Sequence, residues 1–148
     1  MRRVASEIPD APRDISVFYV DDNPDVIEAL HALVSRDKTY RWAGSLTNAD
    51  ELAAVARARR PDIVLLDVDM PGSDPFQAIR DLAAEIPETR VIMLSGHVHK
   101  DLVNRAIKAG AWGYVAKSDG ERAMLDAIAE VAAGEFAMTA EVRSGYSL

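Results

Sequence analysis

Five positions carry groups that can do chemistry together, and each lies just past an apolar run. Asp21 and Asp22 follow 15–20, Asp67 follows 63–66, Ser95 follows 91–94 and Lys117 follows 114–116. Two carboxylates about 5 Å apart at an effective dielectric near 20 repel by roughly 3 kcal/mol, so three together call for a cation. The set contains no His or Cys, and hard oxygen ligands of this kind suit Mg²⁺, which prefers octahedral geometry and keeps several waters. The backbone carbonyl of Asp69, just past Asp67, is a candidate for a further ligand. Such a cluster is better suited to receiving a phosphoryl group than to ordinary hydrolysis. An aspartate such as Asp67 can attack phosphorus and hold the group covalently, while the metal and Lys117 neutralise its equatorial oxygens and Ser95 donates to a third. Tyr114, three residues before Lys117 on a predicted strand, is placed to respond to movement near Ser95.

Taken singly, each residue has a plainer role. Asp22 and Asn23 can begin a helix, Asp67 can serve the turn at Pro71-Gly72, Ser95 can satisfy a loop backbone, and Lys117 can be a solvated strand end. The functional reading rests on the set recurring after successive strands.

The elements that must position the set follow from periodicity. Ile63-Val64-Leu65-Leu66 is short, unalternated and branched, as expected of a strand buried on both faces of a parallel sheet. A carboxylate at its end needs a partner, and Pro71-Gly72 must bend the chain beyond it. The run 15–20 gives a first strand. Asn23 as N-cap and Pro24 as first residue open a helix with Val26, Ile27, Leu30, Leu33 and Val34 on one face. The stretch 40–45 is a weaker strand. Asn48 is expected to cap a second helix with Ala49, Leu52, Ala53 and Ala56 inward, closed off by Pro61. A third helix carries Phe76, Ile79, Leu82 or Ala83, and Ile86. Strand 91–94 precedes a fourth helix with Leu102, Val103, Ala106 and Ile107 inward, stopped at Gly110. Strand 114–116 precedes a fifth helix with Met124 or Leu125, Ile128 and Val131 inward, ending at Gly134. Five alternations imply a doubly wound α/β fold, a parallel five-stranded sheet with right-handed crossovers and helices on both faces. In such a sheet ligands bind beyond the carboxyl ends of the strands, where all five candidate residues fall. Residues 1–14 read as a loose leader, 15–134 as the domain and 135–148 as a tail or truncated linker.

The totals fit one domain of ordinary globular composition: 148 residues, 49% hydrophobic and 28% charged. The net charge of −7 argues against a general grip on nucleic acid. Arg57, Arg59 and Arg60 sit late in a predicted helix, where cations suit the negative end of its dipole. With no cysteine there is no disulfide framework or thiolate chemistry, and no segment has the roughly 18 apolar residues of a membrane span. The expected setting is soluble and cytoplasmic.

Val20-Asp21-Asp22, Leu65-Leu66-Asp67 with Met70-Pro71-Gly72, Leu94-Ser95-Gly96, and Lys108-Ala109-Gly110-Ala111 leading to Gly113-Tyr114 and Lys117 form a highly specific combination. Over roughly residues 16–133 the chain strongly resembles the receiver domain of bacterial two-component response regulators, whose flavodoxin-like (βα)5 fold has strand order 2-1-3-4-5. The resemblance implies that Asp67 becomes an aspartyl phosphate at the expense of a sensor histidine kinase or phosphotransfer protein. It implies that Asp22 binds Mg²⁺ directly, Asp21 assists through water, and Ser95 and Tyr114 form a switch pair. It further implies that the fourth helix, fifth strand and fifth helix carry the output to a downstream protein, with homodimer formation open. A receiver catalyses only its own phosphorylation and dephosphorylation. Lys117-Ser118-Asp119 and the stretch from Ala132 to Val142 resemble the NarL/FixJ subgroup, in which the tail leads to a DNA-binding helix-turn-helix that these 148 residues are expected not to include.

Three features depart from the common pattern: Ser118 replaces the proline that often follows the lysine in a cis bond, and Asp69 and His97 lie where relatives tune phosphoryl lifetime. His97 and His99 are expected to be exposed. Asp67-Val68-Asp69 also mimics the DxD nucleophile of haloacid-dehalogenase-type phosphatases, with Ser95 as a second motif. Motif order counts against that alternative, because those enzymes usually place DxD at the first strand and the acidic pair late. A partner-binding pseudo-receiver is a third reading, weakened by the intact acidic set.

Overall fold

Strands Ile15–Val20 (β1) and Ile63–Asp67 (β3) are buried along their whole length, as interior strands of a parallel sheet covered on both faces must be. The computed structural model describes residues 14–70 and 74–146. The expected leader, apart from Asp14, and the Pro71-Gly72 turn lie outside the described residues. Between and after these strands run Pro24–Ser35 (α1), Tyr40–Leu46 (β2), Leu52–Arg59 (α2), Pro75–Glu85 (α3), Arg90–Ser95 (β4), Lys100–Ala109 (α4), Gly113–Ala116 (β5) and Gly120–Ala132 (α5). A single 3₁₀ turn, Lys117–Asp119, joins β5 to α5. The expected order 2-1-3-4-5 is present, all strands parallel, and a sixth strand, Ala137–Met138 (β6), extends it beyond β5. Helix Ala140–Tyr146 (α6) follows.

Strand alternation divides the core. Val17, Tyr19, Ile63, Leu65 and Val115 pack under α1 and α5, whereas Phe18, Val20, Val64, Leu66 and Tyr114 pack under α2, α3, α4 and Val142 of α6. Leu65 is fully enclosed. Leu65→Ala is therefore expected to cost about 2–5 kcal/mol, read as a lower urea midpoint at unchanged slope. Ile107→Ala, on an exposed side chain, should stay within about 0.5 kcal/mol.

Ile107 is one of two helix expectations that the structure revises. The inward face of α4 runs through Val103, Ala106 and Ala109, and Ile107 lies about 100° around the axis from Ala106, 39% exposed. The other is Asn48, whose side chain accepts from the Asp50 amide (2.9 Å) in a local turn, so α2 starts only at Leu52. The remaining ends form as expected. Asn23 accepts from the Asp25 amide ahead of Pro24, and Gly110 closes α4 at φ 111°, a left-handed position where a Cβ would also lie 3.0 Å from the Ala83 methyl.

The arginine cluster is structural in its contacts. Arg57 pairs with Glu85, Arg59 donates to the Ala43 carbonyl (2.7 Å) and Arg60 donates to the Arg57 carbonyl (3.2 Å). There is no cis peptide among the described residues, and Lys117-Ser118 is trans.

Beyond α5 the stretch expected as a tail or truncated linker contains β6 and α6. β6 pairs with β5 at Gly113↔Ala137 and Tyr114↔Met138, a close approach in which a Cβ on Gly113 would stand 3.1 Å from the Ala137 carbonyl oxygen. The Thr139 hydroxyl accepts from the Ala116 amide (3.0 Å), the Asp119 carboxylate accepts from the Glu141 amide (2.9 Å), and the Ser118 hydroxyl donates to the Glu141 carboxylate.

Candidate functional site

Parallel pairing sets the site. Asp67 is opposite Leu94 and Ser95 is opposite Ala116, so the ends of β3, β4 and β5 come level, with Asp21 and Asp22 at the end of β1 beside them. Asp21, Asp22 and Asp67 each offer a carboxylate oxygen, and these oxygens lie within 4.8 Å of one another. Asp21 and Asp67 are buried, whereas Asp22 is exposed. From the 3₁₀ turn just after β5, Lys117 Nζ reaches 3.2 Å from Asp67 Oδ2 and 3.3 Å from Asp21 Oδ2. Four of the residues expected to act together are thus in one pocket.

Burial pushes the Asp67 carboxyl above its ordinary range, opposed by the hydrogen bond that Asp67 Oδ1 accepts from the Asp69 amide (2.9 Å) and by the charge of Lys117. Burial alone would lower Lys117, but the charges of Asp67 and Asp21 outweigh it and raise the ammonium above its usual value. The ion pairs therefore keep the lysine charged. All the carboxylates are hard oxygen donors, one is open to solvent, and their mutual repulsion is only partly met by one ammonium, so the set fits Mg²⁺. Receiver domains bind Mg²⁺ at an acidic pocket of this composition.

Ser95 is on the expected rim but turned aside. It is fully buried, its hydroxyl donates to the His97 carbonyl, and it accepts from the His97 amide (2.9 Å). The hydroxyl serves its own loop and does not reach Asp67. Tyr114 is 1% exposed, and its hydroxyl has no hydrogen-bond partner among the described residues. Burial raises its pKa, offset in part by nearby Ser95. The two expected switch residues are therefore neighbours, with the serine committed elsewhere.

Asp69 is exposed, and its Oδ2 accepts from the Gly96 amide (2.9 Å), linking the loop after β3 to the loop after β4. His97 and His99 are exposed, as expected. One residue escaped the sequence reading altogether. Tyr19, fully buried in β1, donates its hydroxyl to Asp21 Oδ2 at 2.6 Å. The signal was present, since residues two apart on a strand share a side.

Comparison with known proteins agrees with this geometry. Residues 17–129 match the model of the response regulator receiver domain. The uncharacterized transcriptional regulatory protein YxjL of Bacillus subtilis is 30% identical over 121 residues, covering 82% of this chain and 56% of that protein. The DNA-binding transcriptional activator DevR/DosR of Mycobacterium tuberculosis is 32% identical over 120 residues, covering 81% and 55% respectively. This chain thus spans little more than half the length of those relatives. Among solved structures, a LuxR-family two-component response regulator from Aurantimonas sp. superposes with a TM-score of 0.85 at 28% identity, covering 90% of this chain and 96% of that one. No described helix is long and apolar enough to cross a membrane. With its family match, its sheet order and its acidic pocket in agreement, the chain belongs to the response regulator receiver domains of two-component systems.

Proposed function

We propose that Asp67 is the phosphoryl acceptor of this receiver and that Lys117 is its charge-neutralising partner. The observation that carries the reading is Lys117 Nζ seated between Asp67 Oδ2 (3.2 Å) and Asp21 Oδ2 (3.3 Å) on the rim where the acids converge. An Asp67 oxygen attacks the phosphorus of a kinase or phosphotransfer phosphohistidine. The O–P bond forms, the P–N bond breaks, and the imidazole leaves with the electron pair. Lys117 meets the negative charge on the transferring oxygens, and Ser95 reaches them once its hydroxyl leaves the His97 carbonyl. Asp22 and Asp67 would hold Mg²⁺, with Asp21 acting through water and the Asp69 carbonyl as a further oxygen; when bound, the ion supplies further neutralisation of the phosphoryl oxygens. The chain catalyses only its own gain and loss of the group, in the cytoplasm.

Output to a downstream protein, or to a second copy, runs over the surface of α4, β5 and α5, of which α6 forms a part because it packs beside α4 and β5. The full-length activity of the longer relatives, including DNA binding, would require segments beyond the region shared with this chain.

Incubation with acetyl phosphate and Mg²⁺ is expected to give one covalent, hydroxylamine-sensitive phosphoryl group per chain, and a chelator should prevent its formation. No label at saturating donor and metal would overturn the proposal. Repeated turnover of small phosphate esters would instead support the phosphatase alternative. That alternative has little in its favour, because its second acid, Asp69, is exposed and held on Gly96, and the family match is to receivers.

A further inference from the structure

We infer that Tyr19 is a positioning residue for the acidic pocket: its hydroxyl fixes Asp21 and keeps that carboxylate from ligating the cation directly. The inference rests on the Mg²⁺ reading above and adds a residue to it.

The three carboxylates are unequally occupied. Asp21 Oδ1 accepts from the Asn23 amide (3.0 Å), and its Oδ2 accepts from both the Tyr19 hydroxyl (2.6 Å) and Lys117 Nζ (3.3 Å). Asp67 accepts from the Asp69 amide and Lys117. Asp22 accepts no hydrogen bond among the described residues. A carboxylate offers about four lone-pair directions, so Asp21 has the least left for a metal and Asp22 the most. The phenol contact is short, charge-assisted and fully buried, so it holds Asp21 Oδ2 closely.

Tyr19 is held where it must be to do this. It faces the layer of α1 and α5, beside a cavity of about 370 Å³ that Val26, Leu30, Lys117 and Met124 also line. The phenol and the ammonium therefore converge on one oxygen, Asp21 Oδ2, and each limits where the other can go. A site with two direct carboxylates and waters suits Mg²⁺, whereas a third direct carboxylate favours the larger, more highly coordinated Ca²⁺. By restraining Asp21, Tyr19 biases the pocket toward Mg²⁺.

Titration calorimetry with MgCl₂ and with CaCl₂ tests this on the full chain and on Tyr19→Phe, Asp21→Asn and the double variant. Tyr19→Phe keeps the ring and removes only the donor. It is expected to bind Mg²⁺ about 3- to 10-fold more tightly and to gain more for Ca²⁺ than for Mg²⁺. In the Asp21→Asn background the same substitution should change neither affinity, because its effect passes through that carboxylate. Unchanged or weaker Mg²⁺ binding in Tyr19→Phe overturns the inference while leaving the pocket reading intact. Absence of saturable binding by the unsubstituted chain overturns both.

Discussion

Asp67→Asn is expected to abolish covalent labelling by acetyl phosphate entirely. The amide lacks the anionic oxygen that attacks phosphorus. Quantitative labelling of the variant would reject Asp67 as the acceptor. The same substitution should raise stability in metal-free buffer at neutral pH by on the order of 1 kcal/mol, since it removes a charge that the fold holds at a cost. The sign follows from linkage. Burial raises the folded pKa of Asp67 above its ordinary 3.8, so the native state holds the proton more tightly than the unfolded chain. The contribution of Asp67 to stability is then greatest in acid. It declines as pH rises from about 3.8 toward the raised folded value, and above that value it stays lost. Asp67→Asn should flatten that part of the stability profile, measured by thermal melts with chelator present. A variant less stable than the parent at pH 7 would contradict the account.

Lys117→Met should slow phosphorylation at least about 100-fold at saturating donor and Mg²⁺, the usual scale for losing one preorganised charge at a developing oxyanion. Methionine keeps the reach and the apolar stem, so the loss isolates the ammonium. The variant should also be destabilised, because Asp21 and Asp67 lose the cation that both touch. Leaving buried acids unpaired costs several kcal/mol in a sealed site, and the partial exposure of Lys117 reduces this to about 1–3 kcal/mol. Added Mg²⁺ should restore much of the stability but not the rate. A rate within a factor of three of the parent would show that the lysine is a bystander.

The placement of the acids and the lysine was legible because a parallel sheet puts every strand's carboxyl end on one rim, so residues scattered over nearly a hundred positions of sequence share an address. Orientation was not legible in the same way. Ser95 occupies its expected position, yet its hydroxyl turns to His97, a choice made by loop geometry that residue type does not encode. Asn48 has the chemistry of a cap and uses it on the Asp50 amide before the helix begins. Tyr19 looked like core because most aromatic residues on a buried strand are core, and only its two-residue offset from Asp21 hinted at more. β6 escaped because two residues cannot display a period, and Val142 because a single buried side chain in a short helix makes no stripe.

That short closing strand bears on how the receiver can be handled as a separate piece. Excision after residue 134 would strip Gly113 and Tyr114 of their outer neighbour, remove Val142 from the core and leave the Ala116 amide without the Thr139 hydroxyl. The result would be a sticky margin of open amides and carbonyls beside an apolar trough, an invitation to another molecule to pair there. A faithful minimal fragment must therefore run through α6.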